Sequence, residues 1–417
     1  MLKNKTSDMT PFNMKAKPVK QPLFILPLIW AASKILTFGR LKIERVNMKG
    51  LRPPFLVLSY HQSFQDYYIT PLSLFPHRAN YVSDVEGFAA FGKWLYSKIG
   101  CIATRRYSGD VNLIRNILHA VNVNKNIVVV YPEARHSLVG TNSSFPESVG
   151  KLVKLLKLPV VVQKLYGSYL AQPVWDEKFS RKVKMRCELE KVLNPDQIDE
   201  LSFADITALL NEHFRYDEYR LQYERRIKIN YPKRAEGLHK ALYLCPNCGA
   251  EEMHSQNIKL ICGKCGKEWL MDEYGRLSAK CGITEFEHIP DWFEYQRGVV
   301  GRLIESGAYT LDIPVSVEAL PNEKGFVALG AGRLSHGTNG FLLNIEKSGE
   351  ALRFASSSLH SVHIEYDYRG RGDCVVLSTY NCCYYLYPAL GNCSVTKIML
   401  AGEQLHFPLC PQAESTN

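Results

Sequence analysis

Residues 54–66 read PFLVLSYHQSFQD, an apolar run that ends at a histidine and continues into a polar segment. The same rhythm continues to about residue 170. Short β-branched runs such as NIVVVY (126–131) and PVVVQKLY (159–166) alternate with amphipathic stretches such as VNLIRNILHAVN (111–122). This alternation is typical of βαβ units around a largely parallel sheet. Because NIVVVY is apolar at nearly every position, we expect that strand in the interior with both faces covered.

The pattern changes twice farther along the chain. We expect an α/β domain over residues 46–240, a cysteine-rich unit over 241–280, a linker helix over 281–308 and a β-rich domain over 309–417. The last of these alternates short strands with turn signals and ends in a helix that begins near Ser394. That order predicts a small barrel or sandwich of pleckstrin-homology type.

Length and composition narrow the function classes. A chain of 417 residues is too long for one ordinary core, and its 46% hydrophobic content excludes a disordered protein. The formal net charge of +10 suits an anionic partner, which includes nucleic acid, phospholipid and phosphorylated substrates. Twelve cysteines are present, but four form two C-x-x-C pairs and no secretory signal pattern begins the chain. We therefore expect a protein of the reducing, cytoplasmic side.

Residues 1–45 predict a membrane-associating segment. Pro22–Phe38 is apolar, but Pro27 and Lys34 interrupt it, so the clean stretch is shorter than the about 20 residues of a spanning helix. Basic residues flank it on both sides and Trp30 lies within it, as in a helix that rests among lipid headgroups. This favours a peripheral or monotopic protein on the cytoplasmic face of a membrane. The alternative is a buried first helix of the globular domain.

His61 and Asp66 are the first candidates for catalysis. His61 directly follows an apolar strand pattern, and the carboxyl ends of parallel strands are where α/β sheets bind ligands. An imidazole backed by a carboxylate can take the proton of an alcohol that attacks a thioester carbonyl, while the carboxylate fixes the tautomer. A surface histidine beside a helix N-terminus is the alternative interpretation.

Two further segments place arginines at strand ends. GCIATRR (100–106) follows one helical stretch, and YPEARHS (131–137) follows the strand pattern NIVVVY. Guanidinium groups bind phosphate through paired hydrogen bonds, which makes these arginines candidate ligands for a phosphorylated acceptor. Each of them taken singly could also be a solvated surface charge.

Together these blocks resemble a known family. The order H-x4-D (61–66), G-x5-R (100–106), P-E-x-x-x-S (132–137) and LPVV (158–161) is similar to that of the glycerolipid acyltransferases, which include the 1-acylglycerol-3-phosphate acyltransferases. The resemblance covers about residues 55–165. It implies that His61 is the base and Asp66 its partner, that Arg106 binds phosphate, and that Glu133 and Arg135 complete the acceptor site.

The resemblance also implies substrates and partners. The donor is a thioester, acyl-CoA or acyl carrier protein, and the acceptor is a lysophospholipid such as 1-acylglycerol-3-phosphate, which becomes phosphatidic acid in phospholipid synthesis. The implied partners are these two substrates and the membrane surface, and no organic cofactor is implied. Two other functions remain open: a lipid-binding module that has lost catalysis, and a zinc-ribbon protein that binds nucleic acid. Because aromatic and basic residues do not interleave in the cysteine-rich unit, we expect no nucleic-acid partner.

The third block departs from the family pattern. The family reads FPEGTRS where this chain reads YPEARHS, so the arginine comes one position early and Ala134 replaces a glycine. Either Arg135 or His136 stands in for the family's arginine, which bears on the acceptor more than on the reaction type. The block, together with RAEGLHK (234–240) and HIPDWFEY (288–295), resembles a bacterial branch that joins the acyltransferase to a zinc ribbon.

Four cysteines predict a metal site. Cys245 and Cys248 form one C-x-x-C-G knuckle, and Cys262 and Cys265 form a second one a short hairpin later. This spacing matches tetrahedral four-cysteine zinc sites. Four thiolates fill the coordination shell, so we expect a structural zinc that stabilises folding rather than a redox or catalytic centre.

Overall fold

A mixed sheet organises the first half of the chain. The computed structural model describes residues 7–37, 39–143, 146–176, 180–389 and 393–406. The strands of this sheet are β1 (Leu41–Val46), β2 (Leu56–Ser59), β3 (Ala79–Asp84), β4 (Cys101–Thr104), β5 (Ile127–Val130), β6 (Val160–Tyr166) and β7 (Met185–Leu193). They lie side by side in the order β1-β7-β6-β2-β5-β3-β4. Strands β2 to β6 run parallel, whereas β7 is antiparallel to β6 and β1 is parallel to β7.

Helices cover both faces of this sheet. They are α1 (Ile25–Leu36), α2 (Asp66–Leu74), α3 (Val85–Phe91), α4 (Lys93–Lys98), α5 (Val111–Asn122), α6 (Ser148–Leu156), α7 (Ser168–Ala171), α8 (Pro195–Glu200), α9 (Phe203–His213) and α10 (Glu218–Glu224). The connections through α2 and through α3–α4 cross the sheet in one direction, and those through α5 and α6 cross in the other. Because parallel crossovers are right-handed, α2, α3 and α4 share one face and α5 and α6 the opposite one. Helix α1 packs against α2 and joins the first face.

The inner strands form the core of this layer. Leu56, Val57, Val128 and Val161 are fully buried, since helices lie above and below them. Capping side chains mark helix starts. At the start of α5, for example, the Asp110 carboxylate accepts a hydrogen bond from the Asn112 amide. The predicted α/β class is confirmed, and the buried strands bring their carboxyl ends to one edge.

A small antiparallel sheet carries the four cysteines. Its strands are β8 (Met253–Gln256), β9 (Lys259–Cys262), β10 (Glu268–Met271) and β11 (Leu277–Ala279), in the order β11-β10-β9-β8. Helix α11 (Ile289–Glu305) packs on it, with the ring centroids of Trp269 and Trp292 4.9 Å apart. Trp292 Nε1 donates to the Leu244 carbonyl, and the Leu244 amide donates to Gln296 Oε1. These contacts hold the small sheet against the helix.

The C-terminal region is β-rich, as predicted. Within the described residues its strands are β12 (Leu311–Asn322), β13 (Gly325–Gly337), β14 (Gly340–Ile345), β15 (Glu350–Phe354), β16 (His363–Glu365), β17 (Cys374–Ser378) and β18 (Cys383–Pro388), followed by helix α12 (Val395–His406). They form an antiparallel sheet in the order β15-β14-β13-β12-β18-β17-β16, and α12 packs near β16 and β17. Kinship to the pleckstrin-homology fold stays a prediction.

The C-terminal region docks on the carboxyl ends of the parallel strands. Arg105, just after β4, is buried and donates hydrogen bonds to the carbonyls of Pro321, Tyr380 and Asn381. Asn112 of α5 donates to the Tyr380 hydroxyl. The edge of the sheet where the sequence placed its candidate site is therefore covered in part by the C-terminal region.

The predicted membrane segment forms a surface helix. Helix α1 packs against α2 through contacts such as that of Trp30 with Phe75, whose ring centroids are 5.7 Å apart. On its outer side Phe24, Leu28 and Ile35 are exposed, with Leu28 at 63%. The segment is thus not the buried first helix of the alternative interpretation, although Phe38 at its end lies outside the described residues. Among the described helices, none has the length and apolarity needed to cross a membrane.

Candidate active site

The His61–Asp66 pair lies where β2 ends and α2 begins. Asp66 is the first residue of α2, and its Oδ2 accepts hydrogen bonds from the backbone amides of Gln62 at 2.6 Å and Ser63 at 3.1 Å. The same oxygen lies 3.3 Å from Nδ1 of His61, and Oδ1 accepts from Ser168 Oγ at 2.8 Å. Three local contacts and one from α7 therefore fix the carboxylate. Among the described residues, Nε2 of His61 has no hydrogen-bond partner.

Burial sets the protonation of this pair. It raises the pKa of Asp66 to about 6, although the hydrogen bonds from Ser168, Ser63 and Gln62 act to lower that pKa. Burial lowers the pKa of His61, and the nearby Arg106 guanidinium adds to the effect. At neutral pH we therefore expect an ionised Asp66 and a neutral His61 whose Nδ1 proton faces the carboxylate. Nε2 then carries the lone pair that can accept a proton from a substrate hydroxyl.

The YPEARHS loop packs directly over His61. The ring of His136 has its centroid 4.1 Å from that of His61, and the centroid of Tyr131 is 4.4 Å away. The amide of Ser137 donates to the His61 carbonyl at 2.9 Å. Ala134 has a left-handed backbone with φ of 55°, a conformation that costs most residues about 1 kcal/mol but glycine almost nothing. The glycine of the related motif is thus explained by the turn at this position.

Glu133 is a buried carboxyl group near the His61–Asp66 pair. Its Oε2 accepts from the amide and the hydroxyl of Ser143, each at 3.2 Å, while Oε1 is buried and has no partner among the residues that the structure describes. Burial raises the pKa of Glu133 to about 8. At neutral pH the group is therefore mostly protonated, and it can donate a hydrogen bond to a substrate atom.

The structure gives Arg106 several acidic neighbours. Its guanidinium lies 3.6 Å from Asp84, 3.7 Å from Glu86 and 4.0 Å from Glu365 of β16. Burial raises the pKa of Glu86 and of Glu365 to about 7, so both carboxyl groups are partly protonated near neutral pH. A phosphate at Arg106 has to compete with these carboxylates, and the predicted phosphate role of Arg106 stays a prediction.

Arg135 points into the C-terminal region. Its Nη1 lies 2.7 Å from Glu403 Oε1 of α12 and 3.3 Å from Ser361 Oγ, and it also contacts the sulfur of Met399. Glu403 binds Arg297 of α11 as well, with 2.6 Å between Nη1 and Oε2. The structure thus brings His61, Asp66, Arg106 and Glu133 near one another, while the Arg135 side chain links the loop to α12. Its predicted role in acceptor binding also stays a prediction.

Sequence reasoning did not find three residues that help to build the site. Ser168 holds Asp66, and His363 and Glu365 of β16 stand across from the YPEARHS loop. Nε2 of His363 lies 2.6 Å from Glu365 Oε1. Ser168 comes shortly after the last motif block but stands in no motif, whereas His363 and Glu365 lie about 200 residues beyond that block in a short HIE run that carries no recognisable signal. Only the fold brings β16 to this place.

The four cysteines form a compact cluster. Their sulfur atoms all lie within 4.8 Å of one another, with 3.8 Å between Cys245 and Cys265 and 3.7 Å between Cys248 and Cys262. Tetrahedral zinc with Zn–S bonds of about 2.3 Å separates its sulfur ligands by about 3.8 Å, so the cluster fits zinc.

A glycine in left-handed conformation follows each pair of cysteines. Gly249 has φ of 72° and Gly266 has φ of 71°, and their amides donate to the carbonyls of Cys245 and Cys262. Glycine adopts this conformation without strain, so both knuckles turn alike and present their sulfur atoms to one point. The predicted metal-binding cluster is confirmed as a group of residues that can hold a metal ion.

Part of the first sheet is similar to known proteins. Residues 41–162 match the Acyltransferase family, and this range includes all four motif blocks. One similar solved structure is that of the 1-acyl-sn-glycerophosphate (LPA) acyltransferase PlsC from Thermotoga maritima, at 16% sequence identity and a TM-score of 0.38. That similarity covers 46% of this chain and 77% of the other. No curated protein sequence matches this chain significantly. The family match confirms the resemblance that the motif order predicted.

Proposed function

We propose that this chain, whose residues 41–162 match the Acyltransferase family, transfers a fatty acyl group from a thioester to the hydroxyl of a lysophospholipid. The proposed donor is acyl-CoA or acyl carrier protein. The proposed acceptor is 1-acylglycerol-3-phosphate or a related lysolipid, and the corresponding product is phosphatidic acid or its ester. The observation that carries the proposal is the buried Asp66 carboxylate beside Nδ1 of His61, which leaves Nε2 able to accept a proton.

The reaction proceeds by direct transfer. As the acceptor oxygen attacks the thioester carbonyl carbon, its proton moves to Nε2 of His61, and Asp66 stabilises the imidazolium that forms. The C–O bond forms, the C–S bond breaks, and the leaving thiolate takes the proton back from His61. The hydroxyls of Ser63 and Ser137 donate to the carbonyls of Ser168 and Thr141, so neither is set up as a nucleophile. This supports a path without a covalent acyl-enzyme.

The acceptor phosphate is assigned to Arg106. This guanidinium is near His61, and two of its carboxylate neighbours, Glu86 and Glu365, have pKa values raised to about 7 by burial. A phosphate dianion that takes their place allows both groups to bind protons, which lowers the cost of the exchange. Glu133 donates a hydrogen bond to the acceptor in its protonated form. Arg135 can join the acceptor only by leaving Glu403, so it has a secondary role in this proposal.

The exposed apolar residues support docking on an anionic membrane. Phe24 and Leu28 project from α1, and Phe91 and Trp94 project from the α3–α4 hairpin on the same face of the sheet, with Trp94 73% exposed. Basic residues flank α1 at Lys15, Lys17, Lys20, Arg40 and Lys42. An apolar face bordered by lysine and arginine suits the surface of a bilayer that contains acidic lipids. We propose peripheral binding at the cytoplasmic leaflet.

Zinc is the proposed occupant of the four-cysteine cluster. The cluster would supply four thiolates and no open coordination position, so the ion stabilises the small sheet. The contacts of Trp292 and Gln296 with Leu244 then connect that sheet to α11. A structural role therefore includes holding α11, and with it Arg297, in place beneath α12.

Acyl transfer by purified protein tests the function. Labelled acyl-CoA and acyl carrier protein are offered with a panel of lysophospholipids in detergent to the wild type, to His61→Ala and to His254→Ala, whose histidine is exposed on the cysteine-rich sheet. We expect transfer by the wild type and by the His254 variant, and at least a hundredfold loss in the His61 variant. If no donor supports transfer by the wild type while lysolipid still binds, the chain is a lipid-binding module and the proposal is wrong.

A further inference from the structure

The two carboxylate oxygens of Asp66 have different hydrogen-bond partners. Oδ2 accepts from the amides of Gln62 and Ser63 and lies 3.3 Å from Nδ1 of His61. Oδ1 has one partner among the described residues, the hydroxyl of Ser168 at 2.8 Å. Because Asp66 is fully buried, an oxygen that loses its protein donor has little access to solvent. Ser168 is therefore the group on which the hydrogen bonding of Oδ1 depends.

The hydroxyl of Ser168 has two weaker alternatives. Gln62 Oε1 lies 3.2 Å from it and Ser63 Oγ lies 3.3 Å from it. The Tyr169 amide already donates to Gln62 Oε1, and Ser63 Oγ donates its hydrogen to the Ser168 carbonyl. A carboxylate makes a shorter and stronger hydrogen bond with a hydroxyl than a neutral oxygen does. While Asp66 is ionised, the hydrogen of the Ser168 hydroxyl is therefore directed at Oδ1.

Neighbouring segments hold Ser168 in this place. It is the first residue of α7 and follows Gly167, whose backbone is left-handed with φ of 79°. A Cβ atom at Gly167 would lie 2.7 Å from the Lys184 carbonyl oxygen, so only glycine fits there. The Gly167 amide donates at 2.7 Å to Oε2 of Glu218, a fully buried residue that begins α10. The turn that presents Ser168 to Asp66 is thus fixed from two sides.

We propose that Ser168 is a positioning residue of the acyl transfer, whose hydroxyl turns the Asp66 side chain so that Oδ2 faces His61 and keeps that side chain ionised. The inference rests on the proposed function, because it takes His61 to be the base. Without the hydroxyl, Oδ1 is a buried carboxylate oxygen with no donor, which favours the protonated acid. A protonated Asp66 no longer stabilises the imidazolium that forms when His61 takes the acceptor's proton. The pH below which activity is lost therefore depends on Ser168.

The neighbours of Asp66 leave it as the group that titrates near pH 6. The other titratable groups around it are His61, His136, Tyr131, Cys187, Glu133 and Glu218. Burial lowers the pKa of both histidines and raises that of the tyrosine and the cysteine, so all four are neutral at that pH. Burial also raises the pKa of Glu133 to about 8 and that of Glu218 to about 7. Both glutamates therefore bind their protons before Asp66 does as the pH falls.

Titration without substrates tests the hold of Ser168 on Asp66. The full-length protein is labelled with ¹⁵N in its histidine rings, and the NMR signal of His61 Nδ1 is identified by its absence in His61→Ala. Because Asp66 lies beside Nδ1, this signal should change in the wild type around pH 6. In Ser168→Ala the midpoint should lie about one to two pH units higher, as the loss of one hydrogen bond to a charged group gives. The matched control Thr207→Val removes another buried hydroxyl, on α9, and should leave the midpoint unchanged.

Acyl transfer by the same proteins distinguishes a positioning role from a general loss of structure. A midpoint shift of this size makes kcat of Ser168→Ala about five- to fiftyfold lower than that of the wild type at about pH 6. At about pH 9 Asp66 is ionised in both proteins, so the ratio of the two kcat values should approach one. Thr207→Val should keep the same ratio to the wild type at both pH values.

Each outcome decides a different point. A wild-type midpoint in Ser168→Ala overturns the proposal, as does a loss of kcat that is equal at all pH values. If Ser168→Ala fails to fold, Ser168→Cys, whose thiol is a weaker donor, should shift the midpoint less but in the same direction, and an unshifted midpoint there overturns the proposal too. If the midpoint shifts in the variant while the wild type transfers no acyl group, the proposed function fails and the hold of Ser168 on Asp66 stands.

Discussion

Replacing Asp66 by asparagine should remove most of the activity without unfolding the protein. The asparagine side chain has the same size, and its oxygen can keep the hydrogen bonds from the amides of Gln62 and Ser63. Ser168 Oγ has other partners within 3.3 Å, in Gln62 Oε1 and Ser63 Oγ, so it can turn its hydroxyl away from the new amide. The change therefore acts chiefly on charge.

The size of the effect follows from the distance between the two groups. In the transition state His61 is an imidazolium, and Asp66 Oδ2 lies 3.3 Å from its Nδ1. With an effective dielectric constant of about 20, two unit charges at this distance attract by about 5 kcal/mol. Losing that attraction slows the chemical step by about 10³- to 10⁴-fold. In the ground state His61 is neutral, so the substitution removes much less attraction there than in the transition state. We therefore expect kcat to fall while KM for the acceptor changes little.

The assay is steady-state acyl transfer over a range of pH, with thermal unfolding as the control for folding. Since burial raises the pKa of Asp66 to about 6, the carboxyl group is ionised above that pH and protonated below it. Wild-type activity should therefore fall as the pH decreases through about 6, and this acid limb should be missing in the variant. A variant that unfolds at the wild-type temperature and retains more than a tenth of wild-type kcat would refute the role given to Asp66.

Three further predictions concern stability and docking. Ala134→Gly should stabilise the protein by up to about 0.5 kcal/mol in denaturant unfolding, because relief of the left-handed backbone exceeds the stability lost through the added freedom of glycine in the unfolded chain. A loss of stability would contradict this. Chelation of zinc, or Cys262→Ser, should unfold the small sheet and lower the melting temperature. Scanning calorimetry with metal analysis detects this change. An unchanged melting profile after complete metal loss would rule out a structural ion. Phe24→Ser with Leu28→Ser should reduce cosedimentation with vesicles that contain acidic lipid. Ile283→Ser, which alters a similarly exposed side chain between β11 and α11, should not reduce it. Equal loss in both variants would refute docking through α1.

Local patterns predicted many of the elements closely. The amphipathic run 111–122 is α5, the apolar run around residues 56–59 is β2, and the final helix begins within a residue of the predicted position. Such elements are set by their own periodicity and caps. The C-terminal strands were predicted to be short, yet β12 has 12 residues and β13 has 13. Pro314 and Pro321 in β12 and several glycines in β13 are strand breakers, and pairing with neighbours on both sides of β12 overrides them.

The candidate site also contains some residues that the sequence alone could predict and others that it could not. His61 and Asp66 were predictable as a pair because five residues of chain and two backbone amides join them. The four cysteines were predictable because their spacing encodes two knuckles. The carboxylates at Arg106 and Arg135 were not, since Glu365 and Glu403 reach them only through the docking of β16 and α12. Whether a guanidinium is free or paired depends on the tertiary fold, and the motif alone does not carry that information.

Because residues of the C-terminal region close the site, the site is completed only late in the synthesis of the chain. Arg105 and Arg135 leave the ribosome early, but their partners lie at residues 321, 380, 381 and 403. At about 5–20 residues per second, the ribosome needs roughly 15 to 50 seconds to make the chain between residues 135 and 403. During that time the guanidinium groups of Arg105 and Arg135 lack the C-terminal partners that bury them, and the side of the site near His61 lacks the residues of β16 and α12. The first sheet is therefore made well before the partners of Arg105 and Arg135, and the edge that carries His61 is covered only after the C-terminal region has been made and has docked.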